Sequence, residues 1–285
     1  MHVTPAAAAH RPDPDPAPLR RLPAAWSGGL GCWLYLPERL DPDLPPLVAV
    51  HGIGRAARDQ ARQFGPVAEA QGRLVIAPLF DVRRWSGFQR ITAHGWRADL
   101  ALLRLLEVVS FQTGTSTRRF DLFGYSAGAQ FAHRFAMLHP HRVEHLCVCS
   151  AGWYTWPVAA GGEFPQDLSA SSRRPLGGVV AGNLGRFLQI PLQVAVGEQD
   201  QVVDALTRST PELDAQQGSH RLERAERWVQ ALGQQAVARG IRPRAQLTVL
   251  PGAGHDFHQC MASGRLADLA MPAPREAAQP LASAA

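Results

Sequence analysis

Gly124-Tyr125-Ser126-Ala127-Gly128 sets a serine between two glycines, each two positions away. That spacing suits a sharp strand-to-helix turn that exposes a hydroxyl, because a side chain at either glycine would strike the neighbouring strand or helix. Arg119 to Phe123 reads as the strand before the turn and Ala127 to Leu138 as the helix after it. Ser126 would then stand at a helix N-terminus, where unpaired N–H groups favour developing negative charge. A serine so placed becomes a nucleophile once a base accepts its proton. A capping serine in a plain turn is the alternative.

The base is expected in Gly252-Ala253-Gly254-His255-Asp256-Phe257, a glycine-rich loop after the last apolar run, with His255 as the candidate and His258 as its rival. A carboxylate must hold the histidine in the tautomer that accepts a serine proton. Gly197-Glu198-Gln199-Asp200 follows another apolar run, and Asp200 is favoured over Glu198 and Asp204 for that part. The order serine, acid, histidine along the chain is one of the known orders of a catalytic triad.

An oxyanion needs two N–H donors. The loop His51-Gly52-Ile53-Gly54 can bring backbone close to a reacting carbonyl, and Ile53 is the expected donor there, with Gly52 as the other choice. The N–H of Ala127 is the expected second donor. His51 precedes the loop and reads as structural. Rings in segments after strand ends are candidates for the substrate pocket: Phe80, Trp85 and Phe88 after one strand, Trp153, Tyr154 and Trp156 after another, and Phe257 beside the base. Of these, Trp85, Trp153, Tyr154, Trp156 and Phe257 are expected to line it.

These residues need a scaffold. Leu47 to His51 is a short apolar run, the pattern of a strand buried on both faces, and Leu74 to Ala77 reads as the next buried strand. Arg119 to Phe123, Val143 to Ser150, Leu192 to Val196 and Ala245 to Leu250 read as the further strands. Gly31 to Leu36 reads as a strand of an antiparallel lead-in pair. Helices are predicted over about Arg58–Gln71, Trp96–Ser110, Ala127–Leu138 and His220–Arg239. Alternating strands and helices imply an α/β fold with a mostly parallel central sheet and helices on both faces. Sites in such sheets form at the C-terminal strand ends, which is where Ser126, Asp200 and His255 fall. The expected organisation is a disordered lead over 1–18, one domain over 19–270 and a disordered tail over 271–285. A small cap or loop insertion is expected over about 151–191.

The chain has 285 residues, 46% of them hydrophobic, enough for one large core. No apolar run reaches the ~18 residues of a membrane span, and Met1 to Pro18 lacks the apolar core of a signal peptide. The formal charge is +5, all 29 basic residues are arginine, and they are scattered. A nucleic-acid partner is therefore not expected. Cys32, Cys147, Cys149 and Cys260 match neither a zinc site nor a disulfide framework, so buried thiols and a cytoplasmic setting are expected. No metal cluster or phosphate loop appears, and no cofactor is implied.

At these residues the chain resembles the α/β-hydrolase superfamily. The likeness runs from about Leu47 to Phe257 and rests on His51-Gly52, the segment Gly124 to Gly128, Gly197 to Asp200, and Gly254-His255. Within it the chain looks most like single-domain esterases grouped with polyhydroxybutyrate depolymerases and feruloyl esterases, through Phe120 to Pro140 and the short histidine loop. The resemblance implies an α/β-hydrolase fold and a serine esterase with Ser126, Asp200 and His255 as nucleophile, acid and base. The substrate would be a small or medium apolar acyl or aryl ester. A thioesterase or peptidase would use the same triad, and a non-catalytic binding protein on this fold would have lost part of it.

Overall fold

The computed structural model describes residues 18–93, 95–157, 176–204 and 207–274. In chain order the strands and helices begin with β1 (Leu19–Leu22), β2 (Gly31–Tyr35), β3 (Leu47–Val50), α1 (Ala57–Gln63), α2 (Gly65–Gln71) and β4 (Val75–Leu79). Next come β5 (Thr92–Ala93), β6 (Trp96–Arg97), α3 (Ala98–Thr113), β7 (Phe120–Tyr125), α4 (Ala127–Leu138) and β8 (Val143–Cys149). The rest are α5 (Leu176–Phe187), β9 (Leu192–Gly197), α6 (Pro211–Gln217), α7 (Arg221–Val237), β10 (Ala245–Leu250), α8 (Phe257–Ala262) and α9 (Leu266–Ala270).

Eight strands form one sheet in the order β1-β2-β4-β3-β7-β8-β9-β10. β1 and β2 form the antiparallel lead-in, β2 is antiparallel to β4, and every later pairing is parallel. The two-residue alternation of a strand divides the core between the sheet's faces. Val48, Val50, Leu122, Leu146 and Val148 pack with α3, α4 and α7 residues such as Leu102, Phe131 and Trp228. Leu47, Ala49, Phe123, Tyr125, Cys147 and Cys149 pack with Phe64, Phe257, Cys260 and Leu266 on the other side. Cys147 and Cys149 share a face, and all four cysteines are buried free thiols.

Several elements differ from expectation for identifiable reasons. The helix over Arg58–Gln71 is two helices meeting at Phe64, because Pro66 has no N–H to give and its ring conflicts with the carbonyl four residues back. β4 runs on through Pro78. Of β4, only Val75 and Ile76 pair with β3, so Pro78 lies past the point where β3 needs a donor. Trp96 and Arg97 belong to the small β5–β6 ribbon, and α3 begins after them.

Residues 176–187, expected within a cap or loop, are helix α5. Leu176, Val180, Leu184 and Phe187 recur every three or four positions and are buried in the main core, so α5 packs under the domain. The rest of that expected insertion, over 158–175, lies outside the described residues, as do 1–17 of the expected lead and 275–285 of the expected tail. Met271, placed in the tail by composition, is fully buried. Its carbonyl accepts from Gln71 Nε2 at 2.9 Å, and that of Pro272 accepts from Arg73 Nη1 at 3.0 Å, which pins the chain to the turn between α2 and β4. Among the described residues no helix is long and apolar enough to cross a membrane.

Candidate active site

The turn between β7 and α4 forces Ser126 into φ 53°, ψ −113°, a region L-residues avoid. Its two glycines are required by contact. A Cβ at Gly124 would sit 2.2 Å from the Gly128 carbonyl oxygen, and one at Gly128 would sit 2.0 Å from that of Val50. Only bare backbone lets strand, turn and helix close this tightly, and the closure lifts the Ser126 hydroxyl out of the sheet.

Ser126 Oγ lies 3.1 Å from His255 Nε2. His255 Nδ1 lies 2.9 Å from Asp200 Oδ2. A carboxylate only accepts, so the proton of this bond belongs to Nδ1, and the Nε2 lone pair then faces the serine hydroxyl. Asp200 is 1% exposed, and its other oxygen accepts from Arg221 Nη1 at 3.3 Å. Arg221 opens α7, and no local motif around it marks this role. The imidazole of His255 stacks on Tyr125, with centroids 5.4 Å apart and planes 26° apart. Tyr125 in turn packs on Phe257.

The rivals are engaged elsewhere. Glu198 Oε2 accepts from Gly252 N at 2.9 Å and braces the histidine loop. Asp204 Oδ1 accepts from Thr207 Oγ1 at 2.8 Å. His258 Nε2 lies 3.0 Å from Asp59 Oδ2.

Gly52, Ile53 and Ala127 border the same cavity as Ser126 and His255. Ala127 opens α4, and neither its N–H nor that of Ile53 has a backbone partner among the described residues. Two N–H groups left open beside a serine can receive an oxyanion. His51 shapes this loop. It is fully buried, accepts from Phe80 N at Nε2 at 3.0 Å, and donates from Nδ1 to Gly52 O at 2.8 Å. Burial lowers its pKa to about 4, so the ring is neutral and works as a pin between the β3 and β4 loops.

The cavity has a volume of about 730 Å³. Trp153 and Phe257 line it, as their sequence positions suggest. Trp85, Tyr154 and Trp156 do not. Trp85 is buried with Nε1 donating to Gly29 O, because the loop after β4 folds back onto the chain before β2. Tyr154 is fully buried and stacks on Trp228 at 4.3 Å. Trp156 is partly buried against the main core. Phe80 and Phe88 stack on each other at 4.7 Å in the core, beside His51. Position after a strand places a loop at the right end of the sheet, but the direction of each ring follows the space beneath the loop.

No protein-family model and no curated protein sequence matches the chain. Solved structures do. A poly(3-hydroxybutyrate) depolymerase, LpqC, from Bordetella parapertussis is 29% identical with a TM-score of 0.70, over 87% of this chain and 86% of that one. The poly(aspartic acid) hydrolase-1 of Sphingomonas sp. KT-1 is 24% identical with a TM-score of 0.71, over 85% and 93%. An S-formylglutathione hydrolase from Agrobacterium tumefaciens is 14% identical with a TM-score of 0.57, over 84% and 87%. The chain has the α/β-hydrolase fold. In α/β-hydrolases the serine elbow follows a central strand, and acid and histidine follow later ones. Here those positions fall after β7, β9 and β10.

Proposed function

We propose that this α/β-hydrolase is a serine esterase, cleaving a carboxylic ester through an acyl-enzyme on Ser126. The observation that carries the reading is the continuous relay from Ser126 Oγ through His255 to Asp200, at 3.1 and 2.9 Å, opening into a cavity. His255 Nε2 takes the hydroxyl proton as Ser126 Oγ attacks the ester carbonyl. The N–H groups of Ala127 and Ile53 receive the oxyanion. Asp200 holds the imidazole and offsets the charge it gains. Collapse of the tetrahedral intermediate breaks the bond to the alcohol, which leaves with the proton from His255. A water then repeats the sequence on the acyl-enzyme: His255 takes its proton, its oxygen adds to the carbonyl, and the acid departs as Ser126 regains its proton.

The likeness to the Bordetella depolymerase supports an ester over other acyl donors. A small or medium ester with an apolar part beside Trp153 and Phe257 fits the cavity. The four buried thiols support a reducing, cytoplasmic setting. The test is fluorophosphonate labelling with steady-state turnover of an aryl ester, an acyl thioester and a peptide amide. Labelling and ester turnover are expected in the native chain and absent from Ser126→Ala. Labelling that persists in the variant removes Ser126 from the role, and faster thioester or amide cleavage reassigns the substrate.

A further inference from the structure

The base stands on a loop with little rigidity of its own. Pro251 to Gly254 join the edge strand β10 to His255, and Gly252 and Gly254 are among them. Glycine leaves the backbone more conformations than other residues do, so the place of the imidazole depends on what holds this loop from outside.

The loop that bears the acid holds most of it. Glu198 N donates to Leu250 O at 3.0 Å, and Gln199 N donates to Ala253 O at 2.9 Å. Gly252 N donates to Glu198 Oε2 at 2.9 Å. Gly254, the residue next to His255, is held from the other side. Its N–H donates to Gln259 Oε1 at 2.9 Å. Only an oxygen of the amide can receive that N–H, so the bond fixes which end of Gln259 faces the loop. Gln259 N in turn donates to Asp256 Oδ1 at 2.9 Å. The first turn of α8 therefore clasps the chain at Gly254 and at Asp256, and His255 lies between the two points. The clasp is anchored, because Phe257 and Cys260 of α8 are buried in the core and Phe257 packs against Phe123 and Tyr125. Gln259 itself is exposed and lies outside the cavity lining.

We propose that Gln259 is a positioning residue for the base: through Gly254 it sets where the backbone of His255 sits, and so keeps Nε2 at 3.1 Å from Ser126 Oγ. This rests on the esterase reading and adds to it a residue that acts without touching substrate. Without the acceptor, the Gly254 N–H turns to water and the last peptide before His255 is free to rotate. The imidazole then spends part of its time away from the serine hydroxyl, and every step in which it moves a proton slows. An exposed N–H that exchanges one acceptor for water costs little stability, whereas proton transfer needs the two heavy atoms within about 2.6–3.2 Å. The effect therefore falls on rate and spares the fold.

The test uses the full chain and two variants. Gln259→Met keeps the length and helix preference of the side chain and offers no oxygen, while Gln259→Glu restores an acceptor. Rates are read with an aryl ester on the alkaline plateau, where the imidazole is neutral in each variant. Gln259→Met should lower kcat by about tenfold and leave KM near native, with a melting temperature only a few degrees lower. The second-order rate of fluorophosphonate labelling should fall by the same factor, since that reaction also needs the Ser126 proton removed. Gln259→Glu should recover most of both losses. A native kcat in Gln259→Met, or a loss that Gln259→Glu does not recover, overturns the inference. Proton NMR on Ser126→Ala reads the clasp without turnover. The signal of His255 Nδ1–H, shielded from exchange by its bond to Asp200, should be sharp when Gln259 is present and broadened in the double variant Ser126→Ala, Gln259→Met. An unchanged signal overturns the positioning role even where ester is cleaved, whereas a broadened signal in a chain that cleaves no ester overturns the esterase reading alone.

Discussion

The guanidinium of Arg221 and the carboxylate of Asp200 form a buried ion pair beneath the cavity, with Nη1 3.3 Å from Oδ1 and both side chains at most 3% exposed. Oδ2 of the same carboxylate accepts from His255. Arg221 thus fixes the plane of Asp200 from one side while the imidazole uses the other. Arg221→Met should leave a buried, half-satisfied carboxylate and lower stability by about 3–5 kcal/mol. It should also reduce kcat. A kcat that stays native while only the melting temperature falls would assign Arg221 to scaffolding.

The two glycines of the elbow differ in kind from the glycines of the cavity rim. Gly128→Ala drives a Cβ into the Val50 carbonyl at 2.0 Å, so β3, β7 and α4 must part. Expression or folding should fail, although alanine ordinarily stabilises a helix position by about 1 kcal/mol. Gly54 has nothing within 4 Å of its Cβ position. Gly54→Ala should melt within ~0.5 kcal/mol of the native chain. Chemical denaturation of the two variants checks both.

Trp153 and Tyr154 are adjacent in sequence and opposite in consequence. Trp153→Ala enlarges the cavity and should shift the preferred ester toward bulkier groups, since each methylene is worth about 1–3 kcal/mol of discrimination. Tyr154 stacks on Trp228 in the core. Tyr154→Ala should cost about 3–5 kcal/mol of stability and lower turnover evenly across the series. A chain-length panel with thermal melts separates them, and an unchanged profile for Trp153→Ala would move that ring out of the substrate site.

His51 gives stability a specific pH dependence. Its folded pKa of about 4 lies below its ordinary 6.5, so the unfolded chain binds the proton first as pH falls. The contribution is whole above about pH 6.5, is lost progressively between there and about pH 4, and changes no further below. The full loss is on the order of 3 kcal/mol. His133, buried with Thr155 N donating to its Nε2, is shifted in the same direction. His51→Gln should flatten the stability curve over this window in denaturant titrations at stepped pH. A curve parallel to the native one would show that His51 titrates normally.

That Ser126, His255 and Asp200 would meet, with the loop at Ile53 beside them, was legible because each sits in a short segment with its own steric demands. The parallel sheet was legible for a similar reason, since β3, β7, β8 and β9 are buried on both faces and leave continuous apolar runs. Arg221 could not be read. Its role depends on where α7 starts relative to the end of β9, and nothing around Arg221 marks that. The surroundings of Trp153 were hidden for the same reason. Arg134 and Arg208 are far apart in sequence, and a uniform scatter of arginines reads as surface charge until the fold gathers two of them at one ring.

β10 is the last strand of the sheet and pairs only with β9. It carries the loop of His255, yet most of its residues are partly or wholly exposed, whereas β7 beneath Ser126 is buried throughout. An edge element of this kind opens at a lower free energy than the centre of the domain. Two thresholds are therefore expected: mild heat or denaturant should part His255 from Ser126 before the helices melt, and cooling from that point should bring the pair back together without refolding the domain.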